Sequence, residues 1–274
     1  MPVSRQIEAF KYSRLIETSC GKRVLEVNRS CGAGLFSNFT TLLWDLCSCR
    51  KFGYTVDRLS CGIGLECYKD VISDDPIAVL LECKPHDNSF SFYELPIVDH
   101  FDHHGSYKKL PYALLLPYLE RFFRPSDVVE QRLSEIIKKY GISSLLSVAV
   151  CFRGTDKHIE VPRRSLQDYV SSLALLTIND TNSRILVQTD EYEARRTLMS
   201  MLGDRAFYLD YLPVVSTGSP AVHRHNFKNR IDFAISLLAV NLLLSRMSGL
   251  ITHTGNMALW QHLYRGSSFN VIQL

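Results

Sequence analysis

In the second half of the chain, short unbroken apolar runs alternate with segments whose apolar residues recur at helical spacing. Residues 145–152 (LLSVAVCF) read as a strand covered on both faces. A helix is expected over 166–176, a strand over 184–188 (RILVQ), a helix over 192–202 and a short strand over 206–209. A long helix over 229–248, a strand over 249–252 (GLIT) and a helix over 257–264 follow. Such a βαβα rhythm predicts a parallel, doubly wound sheet.

The first half carries the same signals at lower density. Residues 22–27 (KRVLEV) read as a strand, Ser30-Cys31-Gly32-Ala33-Gly34 as a turn, and 35–49 as a helix. Strand, glycine turn and helix together open a nucleotide-binding type of α/β domain. Residues 77–81 (IAVLL) read as a further buried strand, and 110–123 as short helical pieces broken by Pro111 and Pro117. Arg124-Pro125-Ser126 interrupts the pattern, with Ser126 placed to cap a helix over 127–140 and Gly141 to end it. A boundary near residue 125 divides the chain into α/β halves, 1–125 and 126–274, with a cleft expected between them.

Open parallel sheets bind ligands beyond the carboxyl ends of their strands, and three expected strands end in polar clusters. Cys151-Phe152-Arg153-Gly154-Thr155-Asp156-Lys157 puts a guanidinium at the end of an apolar run, with Gly154 leaving room for close approach. Arginine offers a planar fork of donors that matches phosphate oxygens. The structural alternative is a surface turn with an Arg–Asp ion pair. Thr189-Asp190-Glu191 supplies carboxylates for a base or a ribose, or a cap for the helix that follows. Thr252-His253-Thr254-Gly255-Asn256 brings hydroxyls and backbone N–H groups to a helix N-terminus, an anion-binding arrangement. Asp232, in the first turns of the long helix, is placed to hold Arg153 or a ribose.

Composition adds mainly exclusions. The 274 residues are 46% hydrophobic and 22% charged, ordinary for a globular protein, and a net charge of +3 gives no argument for nucleic acid. The opening MPVSRQIEAFKYSRLIE lacks an apolar signal core, and the apolar run 235–244 is too short to span a bilayer. These features imply a cytoplasmic location, in a bacterium or in the host cytoplasm for a viral protein. The eight cysteines then read as free thiols. Cys47, Cys49, Cys61 and Cys67 lack common zinc-module spacing. Asp99-His100-Phe101-Asp102-His103-His104 is rich in metal-ligand types but crowded into one loop, which fits an acceptor-side loop better than a metal site.

CFRGTDK, ILVQTDEYEARRTL and RIDFAISLLAVNLLLSRMSGLITHTGN, in that order, resemble the three-motif C-terminal half of the fucosyltransferase superfamily. That group includes the α1,6-fucosyltransferases, the nodulation fucosyltransferases and the protein O-fucosyltransferases. The resemblance covers roughly residues 126–266; Gly32 to Phe39 is also similar to the family's N-terminal glycine loop and helix. It implies a GT-B fold, two Rossmann-like domains facing a central cleft, with a GDP-fucose donor, an inverting reaction, a glycan acceptor and no metal or other cofactor. It also implies that Arg153 binds the diphosphate, with Lys157 beside it, while Asp190 and Glu191 face the guanine. Asp232 matches the acidic residue of the third motif, and Thr254, Gly255 and Asn256 stand near the family's phosphate loop. Gly154 replaces a second arginine found in some members, and Cys151 replaces the leading histidine.

On this reading the catalytic group is Arg153, Glu160 and Asp156, with Glu160 as the favoured base and His158 and Asp156 behind it. The same fold using a xylose or rhamnose donor, and a catalytically silent nucleotide- or glycan-binding protein, are the alternatives. An ordinary dinucleotide-binding dehydrogenase fits less well, because Ser37 stands at the third glycine position.

Overall fold

The computed structural model describes residues 5–29, 32–71, 74–84, 105–143, 147–154, 162–177 and 182–274. The chain divides into two compact units. One comprises Met1–His103, Lys109–Glu130 and Phe227–Ile235; the other comprises His104–Lys108, Gln131–Asn226 and Ser236–Leu274.

The first unit is built on β1 (Arg5–Ala9), β2 (Ser13–Glu17), β3 (Arg23–Val27) and β4 (Arg58–Ser60), paired in that order. The first three run antiparallel, whereas β3 and β4 are parallel and joined through α1 (Leu35–Lys51). Among the described residues, this crossover is the part of the first unit with Rossmann-like connectivity. The remainder is a meander, because Gly21 reverses the chain between β2 and β3 within a few residues, at φ 76°. Helix α1 packs on β2 and β3, with Phe39, Leu42 and Leu43 fully buried.

Residues 77–81 are not the strand their composition suggests. Pro76–Leu80 forms a short helix, α2, and only Leu81–Glu82 is extended, as β5. Asp75 decides this: its carboxylate accepts the Ile77 N–H at 3.1 Å, and Pro76 occupies the first helical turn, where its missing N–H costs nothing. Residues 112–122 likewise form one helix, α3 (Tyr112–Phe122), which continues through Pro117. Burial of Leu115, Tyr118, Leu119 and Phe122 outweighs the hydrogen bond lost at the proline. Strand β6 (Arg124–Pro125) pairs antiparallel with β5. Ser126 precedes α4 (Asp127–Tyr140), but its hydroxyl donates to the Val79 carbonyl at 2.6 Å instead of capping the helix. Gly141 ends α4 at φ 57°, in the left-handed region.

The second unit holds β7 (Ser147–Phe152), α5 (Leu166–Leu176), β8 (Arg184–Thr189), α6 (Tyr192–Leu202), β9 (Ala206–Phe207), β10 (Gly249–Thr252), α8 (Asn256–Arg265) and β11 (Val271–Gln273). Helix α7 (Arg230–Ser245) joins it from Ser236 onward. The five strands pair in the order β11-β10-β7-β8-β9, all parallel. Numbered along the chain and read from the β9 edge this is 3-2-1-4-5, the doubly wound order. Every residue of β7 is buried, as its unbroken apolar run requires. On one face Val148, Val150, Phe152, Ile185, Val187 and Ile251 pack with Tyr169 and Leu173 of α5 and Ala194 and Leu198 of α6. On the other, Gln261 of α8 bonds the Thr252 hydroxyl and the Cys151 thiol. Helix α5 starts at a reciprocal capping box between Ser165 and Asp168.

The described cysteines are all free thiols. Burial pushes the Cys47, Cys49 and Cys61 thiols up to about 12, which leaves them protonated packing groups. Among the described residues no helix is long and apolar enough to cross a membrane.

Candidate functional site

In the 3-2-1-4-5 order the chain leaves β7 toward β8 and later returns to β10 on the other side. The carboxyl ends of β7 and β10 therefore flank the switch point, where ligands bind in such sheets. Arg153 and Gly154 follow β7 directly, and His253 to Gly255 join β10 to α8. Three strand ends that are distant in sequence are thus neighbours in one sheet, as the register Cys151↔Thr252 and Phe152↔Thr189 requires.

Asp190, immediately after β8, organises the end of β7. Its Oδ1 accepts the Gly154 N–H at 3.0 Å, and its Oδ2 lies 3.5 Å from the Arg153 Nε. The Arg153 side chain retains 22% of its surface exposed. The side chain is thus placed beside a carboxylate and is partly exposed.

Glu191 lies elsewhere than expected for a residue facing a base. It is fully buried, and its Oε2 accepts an N–H from Arg163 Nη2 at 2.6 Å. Burial raises the pKa of this carboxyl group, the Arg163 charge opposes the rise and the Asp190 charge adds to it. A Cβ built on Gly154 would fall inside the Glu191 carboxyl group, 2.5 Å from both oxygens. The side chain thus lies directly beneath the Arg153–Gly154 turn. The filled space by itself accounts for glycine at residue 154.

The end of β10 is held by a residue that sequence reasoning missed. Tyr107 is fully buried; its hydroxyl donates to the Gly255 carbonyl at 2.9 Å and accepts the Gly255 N–H at 2.8 Å. The Tyr107 N–H donates to Gln273 Oε1 at 2.9 Å, and Gln273 Nε2 donates to the Thr254 hydroxyl at 3.0 Å. The Thr254 hydroxyl and the Gly255 N–H, both expected as ligand donors, are therefore engaged in shaping the loop. The N–H groups of the first turn of α8, from Asn256 onward, remain as the donors of this terminus. The His262 ring supports Tyr107 at a centroid distance of 4.7 Å. Burial pushes its pKa down to about 4, so it is a neutral platform near pH 7.

Asp156, Lys157, His158 and Glu160 lie outside the described residues, as does the Asp99–His104 segment. Asp232, Gly32 and Gly34 fall in the first unit. The Asp232 N–H donates to Asn229 Oδ1 at 2.8 Å, and Asp70 caps the same helix start by accepting the Arg230 N–H at 2.7 Å. Gly32 is at φ 47° and Gly34 at the cap position of α1. The first N–H of α1, from Leu35, is taken by the Tyr68 hydroxyl at 2.9 Å. Arg29 braces this turn through Asn38 Oδ1 at 3.1 Å and the Ser37 hydroxyl at 3.0 Å.

No protein-family model and no curated protein matches the chain. Solved structures do. The NodZ alpha-1,6-fucosyltransferase soaked with GDP-fucose superposes with a TM-score of 0.52 at 12% identity, over 82% of this chain and 89% of that one. The same enzyme co-crystallised with GDP gives 0.51 at 13%, over 83% and 88%. The fucosyltransferase NodZ from Bradyrhizobium gives 0.50 at 12%, over 83% and 89%. Together with the doubly wound second unit, these matches establish that the chain has a fucosyltransferase-like fold.

Proposed function

We propose that the chain is a glycosyltransferase that transfers fucose from GDP-fucose, with inversion, to a hydroxyl of a glycan acceptor. The observation that carries this reading is Arg153, a guanidinium at the switch-point end of β7. Asp190 lies beside it, and its side chain is partly exposed. A diphosphate matches that donor geometry and the switch-point position. The choice of GDP-fucose rests on the motif resemblance and on the solved NodZ structures with GDP-fucose and GDP.

In this mechanism the acceptor oxygen attacks the anomeric carbon as the bond to the β-phosphate oxygen breaks. Negative charge grows on the departing GDP, and Arg153, Lys157 and the first N–H groups of α8 offset it. The acceptor proton passes to Glu160, with Asp156 behind it. Asp190 has two duties here, orienting Arg153 and fixing the turn through the Gly154 N–H. No metal is invoked, since guanidinium, ammonium and helix terminus together supply the positive potential.

Donor turnover tests the reading. The purified chain should release GDP from GDP-fucose in the presence of a glycan acceptor panel, and GDP should raise its melting temperature more than UDP or dTDP. Stronger stabilisation by UDP or dTDP, with turnover of the matching sugar donor, would replace fucose by another sugar such as xylose or rhamnose. Stabilisation by GDP without turnover of any donor would make the chain a silent nucleotide-binding protein.

A further inference from the structure

We propose that Arg163 is a second diphosphate-binding guanidinium, positioned by the buried carboxylate of Glu191. This rests on the nucleotide-sugar reading above and extends it to a residue outside the recognised motifs.

Arg163 stands ten residues beyond Arg153, yet its side chain returns to the same strand end. Its guanidinium carbon lies 5.2 Å from the ring centroid of Phe152, the last residue of β7, and its Nη2 donates to Glu191 Oε2. The two carboxylates after β8, Asp190 and Glu191, thus each hold one arginine at the carboxyl edge of β7.

A pair built for stability alone would use the two parallel N–H bonds that arginine and carboxylate geometry permits. Here one N–H is used, and Glu191 Oε1 has no hydrogen-bond partner among the described residues although the side chain is fully buried. The remaining guanidinium donors of Arg163 make no hydrogen bond among the described residues, and 40% of its side chain is exposed. A buried, under-satisfied carboxylate is an expensive way to anchor a surface arginine. Such an arrangement is reasonable where the carboxylate fixes one edge of the guanidinium and a ligand uses the other. The Phe152 ring restrains the guanidinium further, so little freedom is lost on binding.

Calorimetric titration of GDP, guanosine and inorganic pyrophosphate into wild type, Arg163→Lys, Arg163→Ala and Arg163→Ala/Glu191→Gln tests this. The double variant removes both charges, so it folds even if Arg163→Ala alone is lost to an unpaired buried carboxylate. Loss of one charge-assisted phosphate contact should weaken GDP and pyrophosphate on the order of 10- to 100-fold. Guanosine affinity should be unchanged, and Arg163→Lys should retain part of the binding. Wild-type GDP affinity in the folded double variant would overturn the inference, as would equal losses for GDP and guanosine. Wild type that binds pyrophosphate through Arg163 but not GDP would remove the donor reading and keep the role of Arg163. Wild type that binds neither would remove both.

Discussion

Gly154→Ala is a small change with a large expected effect. The added methyl would occupy the Glu191 carboxyl group, 2.5 Å from each oxygen, where real Cβ contacts lie beyond 3 Å. Glu191 has no accessible surface into which to retreat, and Arg163 tethers it at 2.6 Å. Overpacking alone costs about 1–3 kcal/mol. Displacing the carboxylate from Arg163 adds the penalty of a poorly compensated buried charge, for a total of about 2–4 kcal/mol. For a chain of this size the melting temperature should fall by roughly 3–7 °C. The control is the same substitution in a Glu191→Ala background, where the methyl enters vacated space and should cost under ~1 kcal/mol. Urea unfolding of the wild type, both single variants and the double variant gives the coupling. A Gly154→Ala effect within ~0.5 kcal/mol of zero, or one of equal size in both backgrounds, would refute the packing argument.

Three further outcomes follow from other contacts. Tyr107→Phe removes the hydroxyl that both donates to and accepts from Gly255, so it should cost about 2–3 kcal/mol in thermal unfolding; a neutral result would contradict the clamp. His262, held near 4 against an ordinary 6.5, binds its proton more readily when unfolded. Its contribution of roughly 3 kcal/mol is therefore fully present above pH 6.5 and is lost as pH falls toward 4, and His262→Gln should flatten that slope in pH-dependent unfolding. Asp45, pushed up to about 6 mainly by burial despite the Ser13 hydroxyl at 2.7 Å, runs the other way. Asp45→Asn should stabilise the protein by about 1–2 kcal/mol at pH 7.5, with the gain fading as pH falls through 6 and gone below about 4; an unchanged melting temperature at pH 7.5 would contradict it.

The second unit was legible in the sequence because its strands are buried on both faces and its helices carry a 3.6-residue period. Apolar runs such as 184–188 have no competing interpretation once flanked by polar turns. The first unit was less so. IAVLL has a strand's composition, and the Asp75 cap that makes it helical is one hydrogen bond beside a proline. Strands β1 and β2 are only five residues each and β1 has no buried residue, so their alternation carries little apolar signal. Within the site, Arg153 and Asp190 were visible as polar residues directly after apolar strands. Glu191 was visible too, but not its burial, since nothing local distinguishes a carboxylate that faces solvent from one under a glycine. Tyr107 and Arg163 carried no motif, and their placement follows from sheet topology and from where the chain returns.

The central claim is that Arg153 grips the diphosphate of a nucleotide donor, and titration of GDP into wild type and Arg153→Ala tests it most directly. The account predicts GDP binding that weakens on the order of 10- to 100-fold in the variant, with the fold intact by circular dichroism. Equal GDP affinity in the two proteins, or no binding by the wild type, would contradict it.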